Sequence, residues 1–226
     1  MERPEKSLRD GWGARTRLKD SSSTDVVVHN GRAVSTFYQC GDVYEVDPRT
    51  LSALGKAGWA EGVTPGWGVS AHTKVDEATG ELLFLNYSKA YPYMHYGVVD
   101  ATGALAHYVP IELPGPRLPH DMAFTERYAI LNDRPLFWDP EALAHGAHAV
   151  RFFQDLPSRF GIVPRRGDEV MWFEAAPTYV LHWINAFEDG DEVVLDGYAQ
   201  DPRRGTRTTG LPESLAPFTM LDIHAV

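Results

Sequence analysis

The sequence is poor in cysteine and has no long apolar run. Cys40 is the single cysteine among 226 residues, so no disulfide can form within the chain. Chains of this kind are typical of reducing compartments. The longest uncharged stretch, Ala175–Phe187, is much shorter than the ~20 apolar residues that a membrane-spanning helix needs. The opening residues, MERPEKSLRDGWG, lack the apolar segment of a signal peptide. These absences predict a cytoplasmic protein without a transmembrane segment.

Positive charge is also scarce. Lys and Arg number 21 against 31 Asp and Glu, which gives a net charge of −10. An acidic chain with no basic run is poorly suited to bind phosphate backbones, so we expect no nucleic-acid partner. Hydrophobic residues make up 43% and charged residues 23% of the chain. This composition is typical of a globular protein and excludes a disordered tail, a collagen-like chain and a disulfide scaffold.

Helical periodicity is missing as well, since no window of ten or more residues shows it. Short β-rich runs separated by turns recur instead. Asp25–His29 and Ala33–Tyr38 flank Asn30-Gly31, a strong signal for a two-residue hairpin turn. Four further pairs of runs follow the same pattern: His72–Val75 with Leu82–Tyr87, Tyr93–Val99 with Ala104–Ile111, Ala123–Thr125 with Tyr128–Leu131, and Tyr179–Phe187 with Glu192–Asp196. The pattern predicts an antiparallel all-β protein with one helical turn at Pro140–His145.

A sandwich, a closed barrel and a propeller all fit such a succession of hairpins. Aromatic residues recur near the predicted strand ends, which favours radially packed propeller blades. No WD-type or kelch-type repeat is present to decide the matter. From the pattern alone, the three architectures stay open.

Three of the nine histidines stand out by their surroundings. His72 lies where a strand enters a polar turn, His120 follows Pro119, and His182 lies inside an apolar, aromatic run. A buried histidine needs a partner for each ring nitrogen, and a metal on one nitrogen with a carbonyl or carboxylate on the other is a common solution. Radially arranged strands would bring the three together, and an all-imidazole site favours zinc, iron, copper or nickel. The alternative for each is an ordinary core or surface histidine.

Three segments of the sequence resemble the carotenoid cleavage oxygenase family, which includes apocarotenoid oxygenases, lignostilbene dioxygenases and the retinal pigment epithelium isomerase. AHTKVD at residues 71–76 is similar to the first metal-histidine motif of the family. PHDMAFTERYAIL at 119–131 is similar to the second, and LHWINAFEDGDEVVLD at 181–196 to the third. VYEVDPRTL at 43–51 and RFGIVPRRG at 159–167 also match connecting segments of the family.

The resemblance implies a seven-bladed β-propeller with Fe(II) on its axis, held by four histidines. Matched residue by residue, His72, His120 and His182 correspond to the first three ligands. The fourth would lie beyond residue 226, and His224 is not in a matching context. We therefore expect residues 1–226 to be a single partial propeller domain of about three to four blades, without the family's N-terminal start and C-terminal closure.

Residues near the ligands complete the expected site. Gln39 stands where family members commonly carry a glutamate that bonds a ligand histidine, and its amide oxygen can still accept an imidazole N–H. Tyr38 stands where stilbene-cleaving members often carry a lysine, which counts mildly against a stilbene substrate. Asp121 is either a residue that orients a ligand or a simple turn residue. Glu188 is expected to cap a strand or to bridge two blades.

The implied reaction is the cleavage of a conjugated C=C bond of a carotenoid or apocarotenoid by dioxygen, giving two carbonyl products. The partners are then dioxygen and an apolar polyene, with peripheral membrane contact as a route for collecting it. An apolar substrate calls for an aromatic and aliphatic tunnel. The candidate lining residues, each of which could equally serve ordinary packing, are Phe37, Tyr38, Trp67, Tyr91, Tyr93, Met94, Phe124 and Trp183.

Three other interpretations compete with this one. The chain could be an inactive fragment or half-site, because it lacks the fourth histidine. It could cleave stilbenes instead of carotenoids. A metal-independent binding propeller is the third interpretation, and it requires all three motif matches to be accidental.

Overall fold

The computed structural model describes residues 22–38, 40–64, 67–145, 149–200 and 223–225. The chain forms four successive antiparallel sheets, which we number 1 to 4 in chain order. Sheet 1 contains β1 (Asp25–His29), β2 (Arg32–Thr36), β3 (Tyr44–Val46) and β4 (Ala53–Lys56). Sheet 2 contains β5 (Lys74–Asp76), β6 (Glu81–Tyr87), β7 (Tyr93–Val99) and β8 (Leu105–Glu112).

Sheet 3 has its strands in the order β14-β13-β10-β9, and sheet 4 in the order β15-β16-β17. Their strands are β9 (Ala123–Phe124), β10 (Tyr128–Asp133), β13 (Ser158–Pro164), β14 (Met171–Ala175), β15 (Tyr179–Asp189), β16 (Glu192–Gln200) and β17 (Ile223–Ala225). A small two-stranded sheet of β11 (Leu136–Trp138) and β12 (Val150–Phe152) is inserted in sheet 3. The helical elements are a 3-10 helix at Gly58–Gly62 and α1 at Pro140–Ala144.

Local turn chemistry explains the hairpins. Asn30 and Gly31 join β1 to β2 with φ of 48° and 71°, the left-handed values that a two-residue type I′ turn requires. All five hairpins expected from the sequence are present, and so is the helical turn. The all-β fold and its division into about three to four blades are confirmed. The described strands build three four-stranded sheets and a three-stranded fourth, a portion of a propeller.

Apolar side chains pack in the spaces between successive sheets. The two central strands of sheet 2 are buried on both faces, since six consecutive residues in each of β6 and β7 are buried. The cluster between sheets 1 and 2 includes Val34, Val43, Trp59, Val69 and Phe84. The cluster between sheets 2 and 3 includes Leu85, Tyr96, Leu131 and Val163, together with the buried Cys40. Successive sheets therefore share cores, which keeps their first strands in fixed positions.

Polar contacts also tie neighbouring sheets together. Arg165, at the end of β13, donates to Asp76 Oδ2 at 2.5 Å and to Glu81 Oε2 at 2.7 Å, which joins sheet 3 to sheet 2. Glu188 on β15 accepts from Thr125 Oγ1 at 2.6 Å and from the Arg127 backbone at 2.9 Å. Glu188 thus bridges sheets 3 and 4, one of the two roles expected of it. No helix in the described part of the chain is long and apolar enough to span a membrane.

Candidate metal centre

The first strands of sheets 2, 3 and 4 bring three histidines to one point. His72 lies just before β5, His120 just before β9 and His182 within β15. The Nε2 atoms of His72 and His120 are 3.1 Å apart, and one ring nitrogen from each of the three histidines lies within 4.8 Å of the others. The radial arrangement expected from the sequence therefore assembles residues that are 48 and 62 positions apart.

Irregular backbone aims two of these side chains. His72 has a φ of 61°, a left-handed conformation that is uncommon for a residue with a side chain and that turns the chain just before β5. On β15, the pairing with β16 shifts between Val180 and Trp183 and again between Trp183 and Asn185. Such bulges reorient side chains and are frequent beside functional sites. Here the first bulge contains His182.

Burial and the charges of neighbouring imidazoles lower the pKa of two of the three histidines. Burial is the main cause that lowers the pKa of His120 to about 4, and the charges that His72 and His182 would carry act in the same direction. Burial, followed by the charge of His72, also lowers the pKa of His182. A neutral imidazole offers one nitrogen lone pair, which is the form that binds a metal. Two ligands at right angles on one cation, each about 2.1 Å away, lie about 3.0 Å apart. The 3.1 Å between the two Nε2 atoms matches that separation, so the donor set fits a borderline transition metal.

Asp121 connects all three histidine-bearing segments. Its side chain is 1% exposed, and its Oδ1 accepts from Lys74 Nζ at 2.7 Å and from the Met122 backbone at 2.8 Å. Oδ2 accepts from the Trp183 backbone at 3.0 Å and lies 3.8 Å from His182 Nδ1. Asp121 therefore links sheets 2, 3 and 4 directly beside the three histidines, and its role in orienting a ligand stays a prediction.

A second carboxylate at the site was not expected from the sequence. Asp25 Oδ2 lies 3.1 Å from His72 Nδ1, across 47 positions of the chain. Asp25 begins β1, the first strand of sheet 1. The one feature of the sequence that could have indicated Asp25 is its position at the start of the first strand of a sheet, because the histidines also lie in or near first strands.

Comparison with known proteins agrees with this geometry. Residues 2–216 match the family described as retinal pigment epithelial membrane protein. The chain belongs to this family, the carotenoid cleavage oxygenases.

Relatives within the family have several activities. The chain is 32% identical over 181 residues to a carotenoid 9,10(9′,10′)-cleavage dioxygenase of Crocus sativus, which covers 77% of this chain and 33% of the relative. It is 31% identical over 180 residues to an isoeugenol monooxygenase of Pseudomonas nitroreducens, which covers 77% of this chain and 37% of the relative. The chain thus spans about a third of the length of the curated relatives it matches.

Solved structures of the family share the fold. The lignostilbene dioxygenase of Pseudomonas brassicacearum has a TM-score of 0.70 at 26% identity, covering 88% of this chain and 45% of that one. The cobalt-substituted apocarotenoid oxygenase of Synechocystis has a TM-score of 0.69 at 22% identity, covering 81% of this chain and 40% of that one.

The residues expected to line a tunnel lie in several different places in the structure. Tyr38 lies beside the histidines, with its ring centroid 6.4 Å from that of His120, and Phe37 packs on Tyr38 at 5.2 Å. Trp67 is buried against His95 at 4.6 Å. Tyr93, Met94 and Phe124 pack in the cluster between sheets 2 and 3. Tyr91 is exposed. Gln39 lies outside the described residues.

Trp183 lines an apolar cavity of about 840 Å³ between sheet 3 and the β15–β16 hairpin. Ile130, Phe160, Val180 and Leu195 are among the other lining residues. His182, the residue before Trp183, is not among the residues that line this cavity. Of the expected tunnel residues that the structure describes, Trp183 alone lines this space.

Proposed function

We propose that the chain is part of a non-haem Fe(II) dioxygenase that cleaves a conjugated C=C bond of a carotenoid or apocarotenoid to give two carbonyl products. The observation that carries the proposal is the convergence of His72, His120 and His182, the three residues of the family-like motifs, on one point. Residues 1–226 would form one partial propeller domain of that enzyme. Its cytoplasmic location and its peripheral membrane contact stay predictions.

The three histidines would hold the metal through their ring nitrogens. Bound iron would supply a redox centre able to react with dioxygen, which closed-shell alkenes do only slowly. The protein's own contribution is to favour the neutral form of His120 and His182, through burial, and to fix the orientation of the three rings. Asp121 serves that second purpose, because it joins the backbone of β15 to the segment that carries His120.

Residues near the centre favour an apolar substrate. The Tyr38 ring lies next to His120, and Phe37 packs behind it. The cavity that Trp183 lines is apolar too, with Ile130 in its wall. The names of several relatives support a polyene substrate.

A second candidate is the cleavage of a phenolic alkene such as a stilbene. Relatives named isoeugenol monooxygenase and resveratrol cleavage oxygenase support it at 31% and 29% identity. Tyr38, which stands in place of the lysine of stilbene-cleaving members, has its ring beside His120, and its hydroxyl, whose pKa is raised by burial, could donate to a phenol oxygen instead of that lysine. The competing interpretation, an inactive fragment, rests on the fourth histidine ligand expected beyond residue 226.

Anaerobic Fe(II) binding by the purified chain tests the proposal. We expect one iron per chain, lost in His120→Ala and retained in His145→Ala, a matched change at an exposed histidine after α1. The loaded chain is then exposed to dioxygen with an apocarotenal and, in parallel, with a hydroxylated stilbene. Bleaching of the apocarotenal supports the first candidate and loss of the stilbene the second. A folded chain that binds no iron would refute both for this chain and support the inactive fragment.

A further inference from the structure

Sheet 1 also delivers a polar group to the histidine cluster, and that group is a carboxylate. The other three sheets each bring a histidine there by way of their first strand. Asp25 is the first residue of β1, which is the first strand of sheet 1. It occupies in its sheet the place that the histidines occupy in theirs.

Two contacts hold the Asp25 side chain in a defined orientation. Its Oδ1 accepts from the Val26 backbone N–H at 2.8 Å, and its Oδ2 lies 3.1 Å from His72 Nδ1. The Asp25 side chain is 31% exposed and that of His72 16% exposed. The pair is therefore shielded on the histidine side and open to water on the carboxylate side, which keeps the cost of burying the charge low.

The chemistry of this pair decides which ring nitrogen of His72 carries the proton. A carboxylate can only accept a hydrogen bond, so His72 Nδ1 must be the donor. The neutral ring then has its lone pair on Nε2, the atom that lies 3.1 Å from His120 Nε2. A carboxylate on the far nitrogen also makes the ligand nitrogen more basic.

We propose that Asp25 is a positioning residue that fixes His72 in the Nδ1–H form and so prepares its Nε2 atom to bind the metal. The proposal rests on the proposed function, because it concerns the same cluster. It adds sheet 1 to the metal centre and assigns to it a residue that none of the three histidine motifs contains. Asp25 would then orient the histidine cluster through His72, and Asp121 would orient it through the backbone of β15.

The protonation of His72 in the metal-free chain tests this directly. Two-bond ¹H–¹⁵N correlation spectra distinguish a protonated ring nitrogen from an unprotonated one, and a pH of about 8 lies above the ordinary histidine pKa of about 6.5. We expect Nδ1–H for His72 in the wild type and in Asp25→Asn, whose amide oxygen still accepts. In Asp25→Ala we expect a shift toward Nε2–H, the form that free imidazole side chains prefer. A His72 signal that is the same in wild type and Asp25→Ala would overturn the proposal.

Cobalt binding, followed by its visible absorption, gives the second measurement. We expect Asp25→Ala to bind Co²⁺ about 10–100-fold more weakly than the wild type, with Asp25→Asn between them. Glu77→Gln is the control, because it removes one negative charge from the exposed β5–β6 turn. Equal affinities for wild type and Asp25→Ala would contradict the assignment. A wild-type chain that binds no cobalt refutes the proposed function. The NMR comparison does not depend on that outcome, because it tests separately whether Asp25 determines which ring nitrogen of His72 is protonated.

Discussion

The ion pair between Lys74 and Asp121 offers a quantitative test of how the sheets are held at the centre. Asp121 is 1% exposed and Lys74 26% exposed, so removing the lysine leaves a buried carboxylate that relies on the backbone donors of Met122 and Trp183. Hydrogen bonds to charged groups contribute about 1.5–3 kcal/mol. We therefore expect Lys74→Met to lower the free energy of unfolding by about 2 kcal/mol, which corresponds to about 4–8 °C in Tm for a chain of this size.

Replacing the carboxylate should cost more than replacing the lysine. In Asp121→Asn, the amide NH₂ group must face at least one of the donors that the carboxylate accepted, namely Lys74 Nζ or the backbone N–H groups of Met122 and Trp183. A donor left without an acceptor in a buried site costs about 1–3 kcal/mol. We expect a total loss of about 3 kcal/mol, shared between the lost bond and the unpaired donor.

A double-mutant cycle measured by urea unfolding separates the pair from its surroundings. Since the neutral amide of Asp121→Asn no longer attracts the lysine, the double variant should lose less than the sum of the single variants by about 2 kcal/mol. Additive losses, within about 0.5 kcal/mol, would refute the reasoning, because they would mean that the two side chains do not interact in solution. Val163→Ala is the control for stability alone, since Val163 is buried in the core between sheets 2 and 3. Metal affinity should fall in Asp121→Asn and stay unchanged in Val163→Ala.

Three further perturbations test other parts of the structure. A Cβ atom on Gly197 would lie 2.7 Å from the Trp183 ring, so Gly197→Ala should displace Trp183 and change its fluorescence. Gly58→Ala is the control and should leave the fluorescence unchanged, because the space at Gly58 is open. Burial lowers the pKa of His95 to about 4. Because this is below the unfolded value, stability is complete above about pH 6.5 and falls by about 3 kcal/mol as the pH drops to about 4. In urea unfolding, His95→Phe should therefore lose less stability between pH 7 and 4 than the wild type does. A divalent metal at 100 times its Kd should stabilise the chain by about 2.7 kcal/mol, which calorimetry would show as a rise in Tm of about 5–10 °C. A chelator should reverse this rise, and His120→Ala should not show it.

Much of the fold could be predicted because its hairpins are encoded locally. Asn30-Gly31 specifies its own turn conformation, and the two strands beside it need no distant information to pair. Sheet 3 is different, because β10 pairs with β13 across the inserted residues of β11, α1 and β12. Such a pairing depends on contacts 26 to 36 positions apart, between Arg159 and Asp133 at one end and Pro164 and Tyr128 at the other. The pattern of apolar and polar residues along β10 or β13 does not identify the strand with which each pairs.

The same distinction applies to the candidate site. The histidines could be chosen from their motifs, and the radial arrangement of first strands explains why residues so far apart converge. Asp25 carries no motif, and its contact with His72 exists only once sheets 1 and 2 pack together. Asp121 was a candidate from its place after His120, but its partners Lys74 and Trp183 could not be predicted, since they belong to sheets 2 and 4.

The polar centre is stable among apolar sheets because its members pair across sheet boundaries. His72 on sheet 2 meets Asp25 on sheet 1, and Lys74 on sheet 2 meets Asp121 on sheet 3, which in turn accepts from Trp183 on sheet 4. Each of these contacts compensates a group that would be costly to bury alone. Since each sheet depends on the next for this compensation, a change in one sheet must move ligands that belong to another. Metal affinity in this protein should therefore respond to substitutions at Asp25 and Lys74, although neither residue belongs to the ligand set.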